Sequence, residues 1–271
     1  MKRCLWSVGR LSVLWVCLVA LSPSRGLAES RRASDHLVIH EWGTFTCLQN
    51  ETGQALTGIN SDDEPVPAFV HRIADLVPRP TELAPVFFKG VPRSHRQVRM
   101  RLETPVVYFY PPAGSTTPLR ASLEVSFAGG WLTEYYPAAE VHAPGLDAGN
   151  FRFNGLTPTT QGRLKWADLT IGGQGKLPPT DAPVWLSPRE VEAATVTTPQ
   201  GESEKYLFYR GVGNILSPVT VRRNATDDGL QIQEAVPPQL GLRAPLAVRA
   251  LWLVQVCQDG TVAYRSFPAA T

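Results

Sequence analysis

The sequence predicts an all-β protein: an antiparallel β-sandwich, built as one large or two small packed sheets, with one or two short helices. Three observations predict it. Apolar and polar residues alternate with a period of two over most of the chain. Stretches with helical spacing are few. The 24 prolines and 22 glycines are spread between the alternating runs as punctuation, the pattern of many short strands joined by turns.

The elements follow in order. In "LVIHEWGTFTC", Leu37, Ile39, Phe45 and Cys47 share one face of a strand. In "VRMRLETPVVYFY", Val98, Met100, Leu102, Val106 and Tyr108 share one face, and Pro105 marks an edge or a bulge. In "LRASLEVSF", Leu119, Ala121, Leu123, Val125 and Phe127 oppose Arg120, Ser122, Glu124 and Ser126. "WLTEYYP" and "RLKWADLTI" read as further strands. "KYLFYRG" is expected to face "ATVTT" across the turn "PQGE". "LAVRALWLVQVC" is expected to turn through "QDG" into "TVAYRSF" as a hairpin.

Two helices are expected. "PAFVHRIADLV", residues 67–77, has Phe69, Val70, Ile73 and Val77 at helical spacing behind a proline. It would put His71 on a polar surface beside Arg72 and Asp75. "SPREVEAA" offers Ser187 as cap, Pro188 in the first turn and Glu190 three residues after the cap.

The chain opens with the marks of an export signal. Lys2, Arg3 and Arg10 precede an apolar run over residues 11–21, and Gly26-Leu27-Ala28 places small residues where a signal peptidase cuts. The run is too short to span a bilayer, which needs about 20 residues. The expected division is therefore a signal peptide over 1–28 and a secreted β-sandwich domain over 29–271, with a secreted or periplasmic location. Without residues 1–28 the chain carries 22 basic and 24 acidic side chains, a net charge of −2. That balance argues against nucleic acid, whose partners present basic surfaces. Cys47 and Cys257 remain after cleavage, and the sequence leaves open whether they pair.

Familiar catalytic motifs are absent. "HEWGT" has Thr44 where a metalloprotease H-E-x-x-H would carry its second histidine. There is no G-x-S-x-G, no Walker loop, no dinucleotide fingerprint and no C-x-x-C. Neither a cofactor nor a metal is expected. The acidic run Asp62-Asp63-Glu64 reads as a solvated turn. Asn50-Glu51-Thr52 and Asn224-Ala225-Thr226 fit glycosylation sequons. The aromatics Trp131, Tyr135, Tyr136, Trp166, Trp185, Tyr206, Tyr209 and Trp252 would mostly pack, and any exposed row of them would suit sugar rings.

The phrases "HEWGTFT", "GINSDDEPVPAFVHR", "MRLETPVVYFY", "GGWLTEYYP", "VWLSPREVEAA" and "EKYLFYRGVG" occur in order between about residues 38 and 265. In these phrases the chain resembles a group of uncharacterised secreted bacterial proteins. The resemblance implies no activity, ligand or catalytic residue. It implies members that continue past "TVAYRSF", so this chain reads as a short or truncated one.

The function expected is a non-catalytic binding or envelope-structural domain. The alternative is a carbohydrate-active protein, either a sugar-binding module or a hydrolase with paired carboxylates drawn from Glu41, Glu103 and Glu134. Carbohydrate or another envelope protein are the expected partner classes. The binding candidates are His40, Trp42, Arg101, Glu103, Trp131 and Glu134. Strict alternation turns Glu41 inward and leaves His40 and Trp42 outside. Glu41 is then expected to form a structural ion pair, with Arg101 favoured over Arg99 and Arg210 as its partner. Gly43 is expected to admit a close neighbour.

Overall fold

The computed structural model describes residues 35–60, 65–73, 87–88, 91–147, 152–153, 155–226, 229–234, 250–257 and 259–268. The expected signal peptide and the acidic run over 62–64 lie outside the described residues. The fold is all-β and antiparallel apart from a single parallel pairing of β13 with β9, and its strands number β1 to β20 in chain order among the described residues. The chain divides into two compact units, the larger being Pro23–Ala247.

In the larger unit, twelve strands are hydrogen-bonded into one sheet that wraps into two layers. The first layer runs β1 (Val38–Trp42), β7 (Val106–Tyr110), β16 (Leu207–Gly213) and β9 (Gly130–Tyr136), with β3 (His71–Arg72) on β9. Beyond the end of β7, β6 (Met100–Leu102) takes its place beside β16, and β2 (Phe45–Thr46) pairs with β6. The second layer is β8 (Leu119–Ala128) against β13 (Gln161–Ile171). On β13's other side lie β10 (Glu140–His142) and β14 (Val196–Thr197), followed by β15 (Ser203–Glu204). The layers join where Gln161 of β13 meets Gly130 of β9.

Two apolar clusters explain the burial pattern. The main core lies between the layers and gathers Val107, Phe109, Leu132, Leu207 and Val212 from the first with Leu164, Trp166, Leu169 and Ile171 from the second. A smaller cluster of Val106, Tyr108, Tyr136, Trp185, Tyr206 and Phe208 covers the first layer's other face. Strands β8 and β13 therefore show the expected alternation, one face wet and one dry. Strands β7, β9 and β16 are buried on both faces, a pattern usual for the middle of a covered sheet. Phe109, with no exposed surface, is typical of the core residues; cutting such a ring to alanine costs about 3–5 kcal/mol.

The long run "VRMRLETPVVYFY" is two strands, because Pro105 has no N–H to donate. Its break faces a matching break in "HEWGTFT". A Cβ on Gly43 would lie 2.7 Å from Pro105 Cα, so glycine is what lets the two breaks nest. Leu102 and Val98 pack in the main core, whereas Val106 and Tyr108 belong to the outer cluster. The single shared face expected across Pro105 is thus split between the two sides of the layer.

Both expected helices are corrected. Residues 67–70 form a turn and His71–Arg72 form strand β3, paired with Tyr135 and Glu134 of β9. Two residues of sheet pairing outweigh the helical spacing, and residues 74–77 lie outside the described residues. The second helix begins earlier than expected. A four-residue helix, α1 (Pro183–Leu186), runs into a 3-10 turn over Ser187–Glu190, and Ser187 closes α1 instead of capping a helix start. The turn "PQGE" joins β14 to the short β15, while "KYLFYRG" leaves as β16 for the first layer.

Smaller pairs complete this unit: β4 (Phe87–Phe88) with β5 (Val91–Pro92), β11 (Leu146–Asp147) with β12 (Arg152–Phe153), and β17 (Val219–Arg223) with β18 (Leu230–Glu234). The described part of the second unit is the expected hairpin, β19 (Ala250–Val256) with β20 (Val262–Pro268). Cys47 and Cys257 are both free thiols. Burial pushes the Cys47 thiol up to about 12. Among the described residues no helix is long and apolar enough to cross a membrane.

Candidate functional site

The outer face of the first layer carries a cavity of about 440 Å³. Its floor comes from alternate residues of two central strands, Val106 and Tyr108 of β7 and Phe208 of β16, which point away from the main core. Its roof is α1 and the 3-10 turn, through Val184, Trp185 and Pro188. Pro65, Val66 and Pro67 also line it, with Thr104, Ser187 and Arg210 as the polar side chains besides the tyrosines. Trp42 and Val184 stand at the rim, 43% and 50% exposed, so the cavity opens to solvent there.

The roof is held by one buried carboxylate. Glu204 has no exposed surface and accepts from Trp185 Nε1 at 2.9 Å, Arg189 Nη2 at 2.6 Å and its neighbour's backbone N–H, that of Lys205, at 2.8 Å. Arg189 also reaches the Pro178 carbonyl at 2.9 Å. A four-residue helix has no stability of its own. Here a forked guanidinium–carboxylate contact fixes it to the sheet.

The strap over 65–72 is held in the same way. Phe69 packs on Tyr136 and Trp185, with ring centroids 4.8 and 5.2 Å apart. His71 stacks on Tyr135 and meets Glu202 at 2.9 Å. Arg72 Nε lies 3.3 Å from Glu134 Oε1, an ion-pair contact whose angle makes no hydrogen bond. Glu134 is 2% exposed and also pairs with Arg210 Nε.

The cavity offers little polarity. The Tyr108 hydroxyl donates to the Pro188 carbonyl at 3.1 Å, and the Tyr206 hydroxyl to the Trp185 carbonyl at 3.0 Å. Burial pushes the Tyr108 hydroxyl up to about 12, opposed by a hydrogen bond with Trp42. Tyr206 is pushed up too, by burial first and then by the charge of Glu204. Among the described lining residues none is an acid, and Arg210 is the one charged group.

The residues singled out from the sequence are scattered. His40 is exposed on β1, which is an edge strand with all five residues exposed. Trp42, opposite Val106, reaches the cavity. Glu41 lies opposite Val107 and accepts a hydrogen bond from the Tyr209 hydroxyl. The expected Glu41–Arg101 ion pair is not formed. The two strand breaks shift β6 past the end of β1, so Arg101 sits opposite Thr46 and pairs with Glu103 at 3.0 Å. Trp131 has no exposed surface and donates to the Pro144 carbonyl at 2.6 Å, which removes it as a ligand contact. Glu134 and Glu103 are both held by arginines, and neither lines the cavity.

Sequence reasoning named Trp185 only among the aromatics expected to pack, and it missed Val184, Arg189 and Glu204, the rest of the roof and its anchor. The available signal was Glu204, which Lys205 separates from the apolar run "YLFY", with an arginine in the preceding turn-rich segment. Such a charge must find a partner once buried. Among the described residues no group of three or more His, Cys, Asp or Glu side chains is placed to hold a metal ion. No protein-family model, curated protein or solved structure matches the chain.

Proposed function

We propose that this is an exported, non-catalytic binding domain that takes an apolar small molecule into the outer-face cavity. The observation that carries the reading is the lining itself. Aliphatic and aromatic walls enclose about 440 Å³, within the range of small-ligand pockets. The tyrosine hydroxyls that could orient a sugar are already committed to backbone carbonyls. A sugar entering here would meet few polar groups, the Thr104 and Ser187 hydroxyls and Arg210, and each of its own hydroxyls left without a partner would cost about 1–3 kcal/mol. Paired-carboxylate hydrolysis draws no support from a lining without acids. Export is supported by the basic start, the short apolar run and Gly26-Leu27-Ala28. N-terminal sequencing of secreted material should begin at Glu29.

The test is a titration of the mature protein with decanol and, separately, with maltohexaose. The expected result is saturable decanol binding that weakens at least tenfold in Val184→Arg, whose side chain would fill the mouth. Saturable maltohexaose binding with no decanol binding would overturn the reading in favour of carbohydrate.

A further inference from the structure

We infer that the open edge of β1 and the cavity beside it form one peptide site. An extended segment of another polypeptide, apolar at every second residue, adds to β1 as a strand and sends one side chain past Trp42 into the cavity. The inference rests on the cavity being an apolar binding site and names a second kind of ligand for it. Strand β1 pairs with β7 in unbroken register, and β7 is its one strand neighbour among the described residues. All five of its residues are exposed, the apolar Val38, Ile39 and Trp42 among them. The backbone groups turned away from β7 form a template for another strand. Edges are commonly blunted by lysine, proline or a bulge, and β1 has none of these. Its carboxylate, Glu41, is held by the Tyr209 hydroxyl.

The register decides which side chains of an added strand would see the cavity. Val38, His40 and Trp42 lie opposite Tyr110, Tyr108 and Val106, and Val106 and Tyr108 belong to the cavity floor. Side chains alternate across a strand, so the residues of an added strand that pair with Val38, His40 and Trp42 stand on the cavity side. The one beside Trp42 meets the mouth, whose rim is Trp42 and Val184. Main-chain hydrogen bonds then supply affinity, and the pocket supplies selectivity. The partner is an extended peptide and not a second copy of this chain, because the edge is short. The five residues of β1 span about 17 Å. That is little toward the ~1,200–2,000 Å² that a stable interface between folded chains buries.

The experiment titrates the mature protein calorimetrically with the peptide acetyl-KTVTFTVTK-amide. Two further forms of the peptide are N-methylated at alternate residues, one form for each edge of the peptide strand. The expected result is saturable binding of the parent peptide, in competition with decanol. One methylated form should bind at least tenfold more weakly and the other should not, because only one edge of the peptide faces β1. Val184→Arg should weaken the parent peptide at least tenfold. Equal affinity for the two methylated forms, full peptide binding in Val184→Arg, or saturable decanol binding with no peptide binding would each overturn the inference and leave apolar binding intact. Failure of the peptide to bind a protein that sediments as a dimer would give the edge to a second copy instead. No binding of either peptide or decanol would overturn both.

Discussion

Gly43 lies so close to Pro105 that an added Cβ would stand 2.7 Å from the proline Cα. The contact locks the break in "HEWGT" against the break in "LETPV" and lets β1 and β2 continue beside β7 and β6. Backbone cannot yield as a flexible side chain can. Gly43→Ala should therefore destabilise the domain by about 1–3 kcal/mol, as overpacking does. For a chain of this size that is a fall in Tm of several degrees. An unchanged melting curve would show that the two breaks are not in contact.

Glu134 and Glu41 make opposite predictions. Glu134 is buried and held by Arg210 and Arg72, so Glu134→Gln removes the charge that the buried Arg210 guanidinium faces and should cost about 3–5 kcal/mol. Glu41 is exposed on an edge strand and meets a neutral hydroxyl, so Glu41→Gln should cost less than about 1.5 kcal/mol. Urea denaturation of both variants measures the difference. The reverse order would return Glu41 to the structural role expected of it from strand alternation alone.

Glu204→Gln should loosen the roof while the sheet remains folded. The amide keeps the acceptor for Trp185 but loses the charge that holds Arg189. Weaker decanol binding with an unchanged far-ultraviolet circular dichroism spectrum is expected. Loss of the β spectrum would show that Glu204 holds the sandwich as a whole.

Alkaline pH should unfold the domain cooperatively. Burial pushes Tyr108 and Tyr136 up to about 12 from an ordinary value near 10, and it raises Tyr206 and Tyr209 as well. The folded state holds these protons after the unfolded state has lost them. Their stabilisation is full below pH 10 and declines as pH rises through about 12. Absorbance at 295 nm and circular dichroism, followed together, should show part of the tyrosine ionisation arriving with unfolding. Complete ionisation before any loss of structure would contradict it.

The strands facing water on one side were legible, since in β8 and β13 the sequence alternation is the burial alternation. The doubly buried strands β7, β9 and β16 were legible as strands but not as the floor of a site. Their outer face is covered by α1 and the 65–72 strap, which are too short or too irregular to announce themselves by periodicity. His71–Arg72 shows why: two residues of pairing with β9 leave no repeat to detect. Trp42 was read as outward and ligand-facing, and it lies at the cavity's rim. Arg101 was read as the partner of Glu41 because the matched breaks at Gly43 and Pro105, which displace it, appear in the sequence as two unrelated residues.

The most direct test of the central claim is a methyl-correlated NMR titration of the mature protein with decanol. The account predicts saturable shifts at Val66, Val106, Val184 and Val191, the valines lining the cavity, with little change at Val212 and Val196 in the main core. Shifts confined to valines outside that set, or no saturable shift at any valine, would contradict it.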